Sequence, residues 1–589
     1  MKNKPISIKT IFELILHKRS ALIYGQFITL LAILVSVPIP LLLPVMVDEV
    51  LMSKPATVVN IIDMFVDSST AFTYIAIVTF GVIFLRFLYY FLTVVLTKIF
   101  TKISKYVTYM IRERLLNHLK IASMNEYETL GSGAITSNLV TDVNTLDAFI
   151  ITGISKLVAS VLTLLAVGVV MISINPILGL LILVVQPLIM LMSKKMSTIV
   201  GKLKADENAA ISDFQESVGE TLELFGQIKA SNQENYFFSN ATTLAEKIQI
   251  TSNKYSFKNV AYERLSYTIF LVMFELIRAS GLLLVAYSDL SIGMMFAMFG
   301  YIWFIMTPVQ DMLSMQYSYA AAQAALKRIN KILSLKTEHS GHLVLEQKSV
   351  DISLKNLNFS YTEGKEILRN ININIKAGCK IALIGASGSG KTTLAQVLSG
   401  FYEKCSGSQE YNGIKIEELS KNSLRERIFL VLQMPILFNS TLRFNITMGD
   451  ESISDEEIYK ALSVAQLDEM INAMELGLET IVGHHGIRLS GGQRQRLSIA
   501  RMIIADPSVV IFDESTSALD VHTEAKIQAK LEELLRDKTV ITIAHRLSTV
   551  KNSDLIHVLD DGKIVQSGTH EELEKEEGHY NEFVKRQLI

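Results

Sequence analysis

The stretch "CKIALIGASGSGKTTLAQVLSG", residues 379–400, decides the fold of the second half of the chain. An apolar strand runs into a glycine-rich turn, and the turn opens a helix. Gly385, Gly388 and Gly390 let the backbone curl until successive N–H groups face one oxyanion. The helix beginning near Lys391 adds its positive dipole end. Lys391 brings a compact charge to the β- and γ-phosphates of a nucleotide, and the Thr392 hydroxyl can ligate magnesium. Ser387, Ser389 and Thr393 complete the loop as candidate nucleotide contacts.

Two further pieces follow it. "SVVIFDESTSALD", residues 508–520, is an apolar strand closing on Asp513 and Glu514. The first acid faces magnesium and the second can polarise an attacking water. "RLSGGQRQRLSIAR", residues 488–501, sets Ser490, Gly491 and Gly492 at the start of a helix, a second anion-seeking end. One chain has one cradle to fill. The surplus helix end therefore suits the nucleotide of another copy.

The first half is different in kind. A helix needs about 20 mostly apolar residues to cross a bilayer, and six segments qualify, at roughly 21–47, 72–97, 149–173, 176–193, 266–287 and 290–313. The first contains "VSVPIPLLLPVMVDEVL", whose Pro38, Pro40 and Pro44 predict kinks. Two connections, 98–148 and 194–265, are long, polar and helix-like. The first of them carries Lys98, Lys102, Lys105, Arg112 and Arg114, whereas the loop at 48–71 has only Lys54 against Asp48, Glu49, Asp63 and Asp67. The excess of positive charge puts the N-terminus, both long connections and the second half in the cytoplasm. "TIFELILHKR" at 10–19 reads as an amphipathic helix on the membrane surface, and no cleaved signal peptide is expected.

Composition agrees with a two-part chain. It has 589 residues, too many for one ordinary core, and is 49% hydrophobic. The net charge of −2 gives no support to a nucleic-acid partner. Cys379 and Cys405, the two cysteines, exclude a disulfide framework.

With "LSGGQ" at 489–493, the phosphate loop and "IFDE" in this order, residues 350–589 resemble the nucleotide-binding domain of the ATP-binding cassette superfamily. The whole chain resembles a half-transporter of the exporter type. The resemblance implies an all-α, six-helix transmembrane domain of the type IV fold followed by an α/β P-loop NTPase. It implies an amphipathic elbow over 1–20, a membrane domain over 21–330, a linker over 331–349, and a cassette over 350–589. It further implies ATP and Mg2+ as ligands, a second identical chain as partner, and cell-membrane localisation.

Particular residues inherit roles from the same likeness. Tyr361 in "FSYTEGKEIL" matches the aromatic that stacks on adenine, and Gln433 in "VLQMPILFNSTLRFNI" the glutamine that senses magnesium. Glu514 matches the general base and His545 in "TIAHRLS" the γ-phosphate switch. Asp520 matches the cross-dimer contact, and Gln493 falls in the signature. "IASMNEYETLGSGAITSNLVTDV" (121–143) and "ISDFQESVGETLELFGQIKAS" (211–231) resemble the loops whose coupling helices rest on the cassettes. One departure stands out. His484 and His485 occupy "TIVGHHGIRLS" where the family usually has an acid, which offers a titratable contact near neutrality.

Cargo is least legible. Amphipathic molecules (peptide, drug or lipid) suit the exporter likeness, with inner-leaflet lipid flipping and a non-transporting membrane ATPase as rivals. Charges inside spans are functional candidates by default: Arg86, Lys156, and Glu275 with Arg278, which at a spacing of three can neutralise each other. Met294, Met295, Met298, Met306, Phe296, Phe299 and Trp303 on the sixth span suit either an adaptable apolar binding wall or lipid-facing packing.

Overall fold

The computed structural model describes residues 4–52, 54, 57–65, 70–346, 349–361, 364–433, 435–482, 489–513, 521–544 and 546–587. The chain separates into two compact units, Met1–Leu116 with Gly133–Ser334, and Asn117–Ser132 with Leu335–Ile589.

The first unit is helical. Ser7 caps the helix Ile8–Leu16 in a reciprocal pair with Thr10, and Ile11 and Ile15 are buried while Phe12 and Leu16 stay exposed. Among the described residues four helices are long and apolar enough to cross a membrane: Arg19–Leu51, Ala71–Leu119, Glu234–Tyr287 and Ile292–Met312. Two shorter apolar stretches, Val158–Ile174 and Pro176–Val185, fall on the third and fourth expected segments.

The first span breaks where its prolines stand. Regular helix ends at Ser36, followed by a 3-10 turn at Ile39–Leu41 and a π-helical stretch at Val45–Leu51. Leu41 N–H turns to the Pro38 carbonyl, and the Val37 carbonyl accepts instead from the Tyr301 hydroxyl at 2.6 Å. A neighbouring helix thus satisfies a group that the prolines free. Asp48, at the end of the same span, accepts from Ser291 Oγ at 2.5 Å and Gly293 N–H at 2.9 Å, tying down the start of the helix Ile292–Leu333.

Ala71–Leu119 has 49 residues. At 1.5 Å per residue it runs about 74 Å, more than twice a hydrocarbon core of about 30 Å. The helices Pro176–Glu223 and Glu234–Tyr287 are as long and pack on one another. The polar connections are therefore continuations of the spans. At the far end of the last helix, Arg328 grips the buried carboxylate of Asp142 through Nε and Nη2 at 2.6–3.1 Å.

Met295, Met298 and Phe299 do not form a binding wall; they lie in the helical core with Ile302 and Ile305. The steps from 295 to 298, 302 and 305 place these side chains on one helix face, and that face is buried.

The second unit is built on a six-stranded sheet. Its strands run in the order Lys563–Gly568, Leu555–Asp560, Lys380–Gly385, Thr539–Ile543, Val509–Asp513 and Ile428–Val431. All neighbours are parallel except the first pair. Val509–Asp513 is buried along its whole length, as its unbroken apolar run requires. Register pairs Leu383 with Ile543, Ile543 with Asp513, and Val431 with Phe512. The carboxyl ends of four parallel strands therefore stand side by side, where ligands of open α/β sheets bind. A smaller sheet of Leu368–Ile375, Ile352–Phe359, Ser406–Tyr411 and Ile414–Lys415 packs beside them in the same core as the helix Lys391–Leu398.

The short helix Met124–Leu130 belongs to this second unit. Met124 packs on its main core, the Asn125 amide donates to the Tyr361 carbonyl at 3.0 Å, and the Tyr402 hydroxyl donates to Glu128 at 2.7 Å.

Candidate functional site

The phosphate loop follows the strand Lys380–Gly385 directly. Gly385 sits at φ +152°, and a Cβ there would lie 2.1 Å from the Leu559 carbonyl oxygen of the neighbouring strand. Only glycine fits that approach. Gly390, at φ +104°, is the left-handed residue from which the helix Lys391–Leu398 starts. Lys391 is buried, and its Nζ donates to the carbonyls of Gly385 at 3.0 Å and Ala386 at 2.9 Å. Ser389 Oγ is buried within the loop and has no hydrogen-bond partner among the described residues. Ser387 and Gly388 are exposed at the tip, and Thr393 is buried on the helix.

The neighbouring strand ends complete the constellation. Thr392 Oγ1 donates to Asp513 Oδ1 at 3.2 Å, joining the loop's helix to the buried acid-bearing strand. Gln433 lies two residues beyond Val431, and its carbonyl accepts from Gln495 Nε2 of the signature helix at 3.2 Å. That helix, Gly491–Ala505, is capped by Ser490: Ser490 Oγ accepts from Gln493 N–H at 3.2 Å, and Gln493 Oε1 from Ser490 N–H at 2.8 Å. Its buried face joins a core formed with Leu442, Ile458 and Leu462, separate from the core beneath the phosphate loop.

Tyr361 is held by the loop's own helix. Its hydroxyl meets Thr393 Oγ1 at 3.0 Å and Gln396 Oε1 at 3.1 Å, and its ring stands edge-on to Phe359 and Tyr402. Burial raises the phenols of both Tyr361 and Tyr402 above their ordinary range. The likeness of 121–143 to a coupling-helix loop points to a short helix on the cassette, but Asn125, Glu128 and Tyr402 are not legible in the sequence as the residues that meet there. Glu514, Asp520, His545, His484 and His485 lie outside the described residues.

In the membrane unit, a cavity of about 700 Å³ is lined by Arg86, Tyr89, Trp303, Phe304 and Asp311, among others. Lys156 pairs with Asp311 at 3.3 Å. Asp311 is a cavity residue that the sequence reading lacks, although an acid within "FIMTPVQDML" carries the same signal that singles out Arg86. A lone arginine at mid-span costs about 2.5–3.5 kcal/mol on insertion scales, so its position requires compensation.

Glu275 and Arg278 are not among the cavity's lining residues and form an ion pair of 2.5 Å, both about half exposed. The pair compensates itself. Neutralising either residue should lower the thermal midpoint of the purified protein by about 2–4 °C, the shift expected for roughly 1 kcal/mol in a domain of this size. The charge-swapped double variant should recover part of that loss. Unchanged midpoints in both single variants would remove the pair's structural role.

Comparison with known proteins agrees with this architecture. The family model described as "ABC transporter transmembrane region" matches residues 22–309, and that described as "ABC transporter" matches residues 368–517. An ATP-dependent lipid A-core flippase of Legionella pneumophila is 41% identical over 284 residues, 48% of either chain. ABC transporter B family member 21 of Arabidopsis thaliana is 40% identical over 277 residues, 46% of this chain and 21% of that one. The chain thus spans about half or less of the curated relatives it matches here. A solved structure of a bacterial Atm1-family ABC exporter with ATP bound superposes with a TM-score of 0.80 at 23% identity, covering 96% of this chain and all of that one, a likeness of fold. The chain is a multi-pass membrane protein of the ABC transporter family, with a helical membrane domain followed by a nucleotide-binding domain in one polypeptide.

Proposed function

We propose that two copies of this chain form an ATP-driven exporter of amphipathic cargo in the cell membrane, in bacteria the inner one. Residues 21–330 would serve as the membrane domain and 350–589 as the cytoplasmic cassette. One observation carries the reading: Thr392 Oγ1 lies 3.2 Å from Asp513 Oδ1, so a metal-seeking hydroxyl and carboxylate converge beside the phosphate loop.

The residues present fit a magnesium nucleotide. Ser389 Oγ is a buried hydroxyl inside the loop with no hydrogen-bond partner among the described residues, and Lys391 Nζ stands on the loop's own carbonyls. Thr392, Asp513 and Gln433 would hold magnesium, which supplies charge neutralisation at the β- and γ-phosphates. Loop N–H groups from Gly385 to Thr393 bind phosphate, and Tyr361 offers its ring to adenine. Glu514 orients and deprotonates the attacking water, and His545 contacts the γ-phosphate. Ser490, Gly491, Gly492 and Gln493 of the opposite copy close over the same nucleotide, with Asp520 at the seam. Closure opens the membrane cavity outward; hydrolysis and release reset it.

A lipid flippase is the second reading, favoured by the Legionella relative's name. Reconstituted vesicles test both. Export predicts ATP-dependent accumulation of a fluorescent amphipathic peptide or drug, and flipping predicts ATP-dependent transfer of a labelled lipid headgroup between leaflets. ATPase activity with neither movement would contradict transport and leave a membrane-tethered ATPase.

A further inference from the structure

The polar stretch "KTEHSGHL" at 336–343 follows the last membrane helix and has the composition of a loose tether. Its backbone is paired on both sides instead. Ser123 N–H donates to the Lys336 carbonyl and Glu338 N–H to the Ile121 carbonyl, both at 2.9 Å, which sets Ala122 opposite Thr337 just before the helix Met124–Leu130. Further along, the stretch runs parallel to the nucleotide-binding domain. Gly341 N–H donates to the Leu419 carbonyl, Leu343 N–H to the Glu418 carbonyl, and Ser420 N–H to the Leu343 carbonyl, at 2.8–2.9 Å.

Side chains close the same seam. Arg425 Nη2 donates to Glu338 Oε1 at 2.6 Å, and Leu345 N–H donates to Ser423 Oγ at 2.6 Å where Leu345 enters the domain's main core. Gly341 shows how tight the seat is: a Cβ there would stand 2.0 Å from the Glu418 carbonyl oxygen. At the other end the buried ring of His118, in the last turn of Ala71–Leu119, lies 3.1 Å from the Leu335 carbonyl. A tether that let these parts slide would leave its backbone groups to water and would need no glycine at the contact.

We propose that the linker is a fixed middle strand: it holds Ile121–Leu130 on the nucleotide-binding domain of its own chain in every nucleotide state. The helix that ends at Leu119 and the helix that ends at Leu333 then receive the domain's motion together, because both run into the same paired block. Nucleotide as the driver comes from the export reading above; cargo does not enter.

Ala122 and Thr337 form a non-hydrogen-bonded antiparallel pair, a geometry whose Cα atoms stand about 4.5 Å apart and which a disulfide can bridge. Ala122→Cys with Thr337→Cys is made in the full chain in nanodiscs, with Cys379→Ser and Cys405→Ser removing the other thiols. Oxidation should join the pair and leave ATP turnover as it is in the reduced protein. Turnover that falls on oxidation and returns on reduction means that the two segments must part during the cycle, and overturns the fixed strand; so does failure to cross-link. The relay has its own readout. Trp303, the chain's single tryptophan, lies on the helix that runs into the linker, and its emission change on adding ATP with Mg2+ reports motion reaching that helix. Gly341→Ala should speed hydrogen exchange at Leu343 N–H by roughly tenfold or more, the effect of one overpacked backbone contact. It should keep the affinity for a fluorescent ATP analogue and lose most of the Trp303 change. Ser423→Ala, which removes the acceptor of Leu345 N–H, is the milder variant with the same expected directions. A full Trp303 change in a variant whose exchange has quickened overturns the relay, and unchanged exchange in both variants overturns the seat. No Trp303 change in the unmodified protein with ATP bound contradicts the export reading and the relay together, while the cross-link still decides the fixed strand.

Discussion

Glu514→Gln should bind ATP as tightly as the unmodified chain and hydrolyse it roughly 10²–10⁴-fold more slowly, the usual contribution of a positioned general base. The expectation follows from the order of groups along one strand. Val509–Asp513 is buried throughout, and its last residue already meets Thr392. The next residue in the chain is Glu514, so the acid that follows the proposed metal ligand is the one proposed to take a proton from water. The amide keeps the size and loses the basicity, leaving phosphate contacts intact. Equilibrium binding of a fluorescent ATP analogue, together with phosphate release, separates the two effects. Turnover within a few-fold of the unmodified protein would remove Glu514 from the role. Lost binding would instead make it a structural residue.

How much of this could be read from the chain depends on the range of the interaction. The phosphate loop is local: its glycines answer to turn geometry within a few residues, and Gly390 does start the helix at Lys391. The apolar segments are legible because bilayer thickness sets their length, and prolines mark the break after Ser36. Orientation within an apolar helix is not local. Met295 and Met298 look as available as Trp303 in sequence, yet the first two are buried among Ile302 and Ile305, while Trp303 lines the cavity. Pairings across long separations were hidden for the same reason. Lys156 finds Asp311, and Glu128 finds Tyr402, only once segments far apart in the chain are brought together.

The proposed shared site turns on the signature helix. Ser490 offers a second capped, anion-seeking helix start, and its helix packs into a different core from the phosphate loop. Both ends seek the same kind of charge. The central claim is that they meet on one nucleotide from opposite copies. Lys391→Ala removes the cradle's charge, and Ser490→Arg obstructs the signature end. Each homodimer then carries two defective sites and should trap almost no nucleotide. In a mixed dimer, isolated through two different affinity tags, one site gathers both defects and the other joins an intact cradle to an intact signature. The measurement is nucleotide trapped per purified mixed dimer. About one competent site per dimer is the expected value, set against nearly none in either parent. Mixed dimers that trap no more than the parents would contradict the shared site.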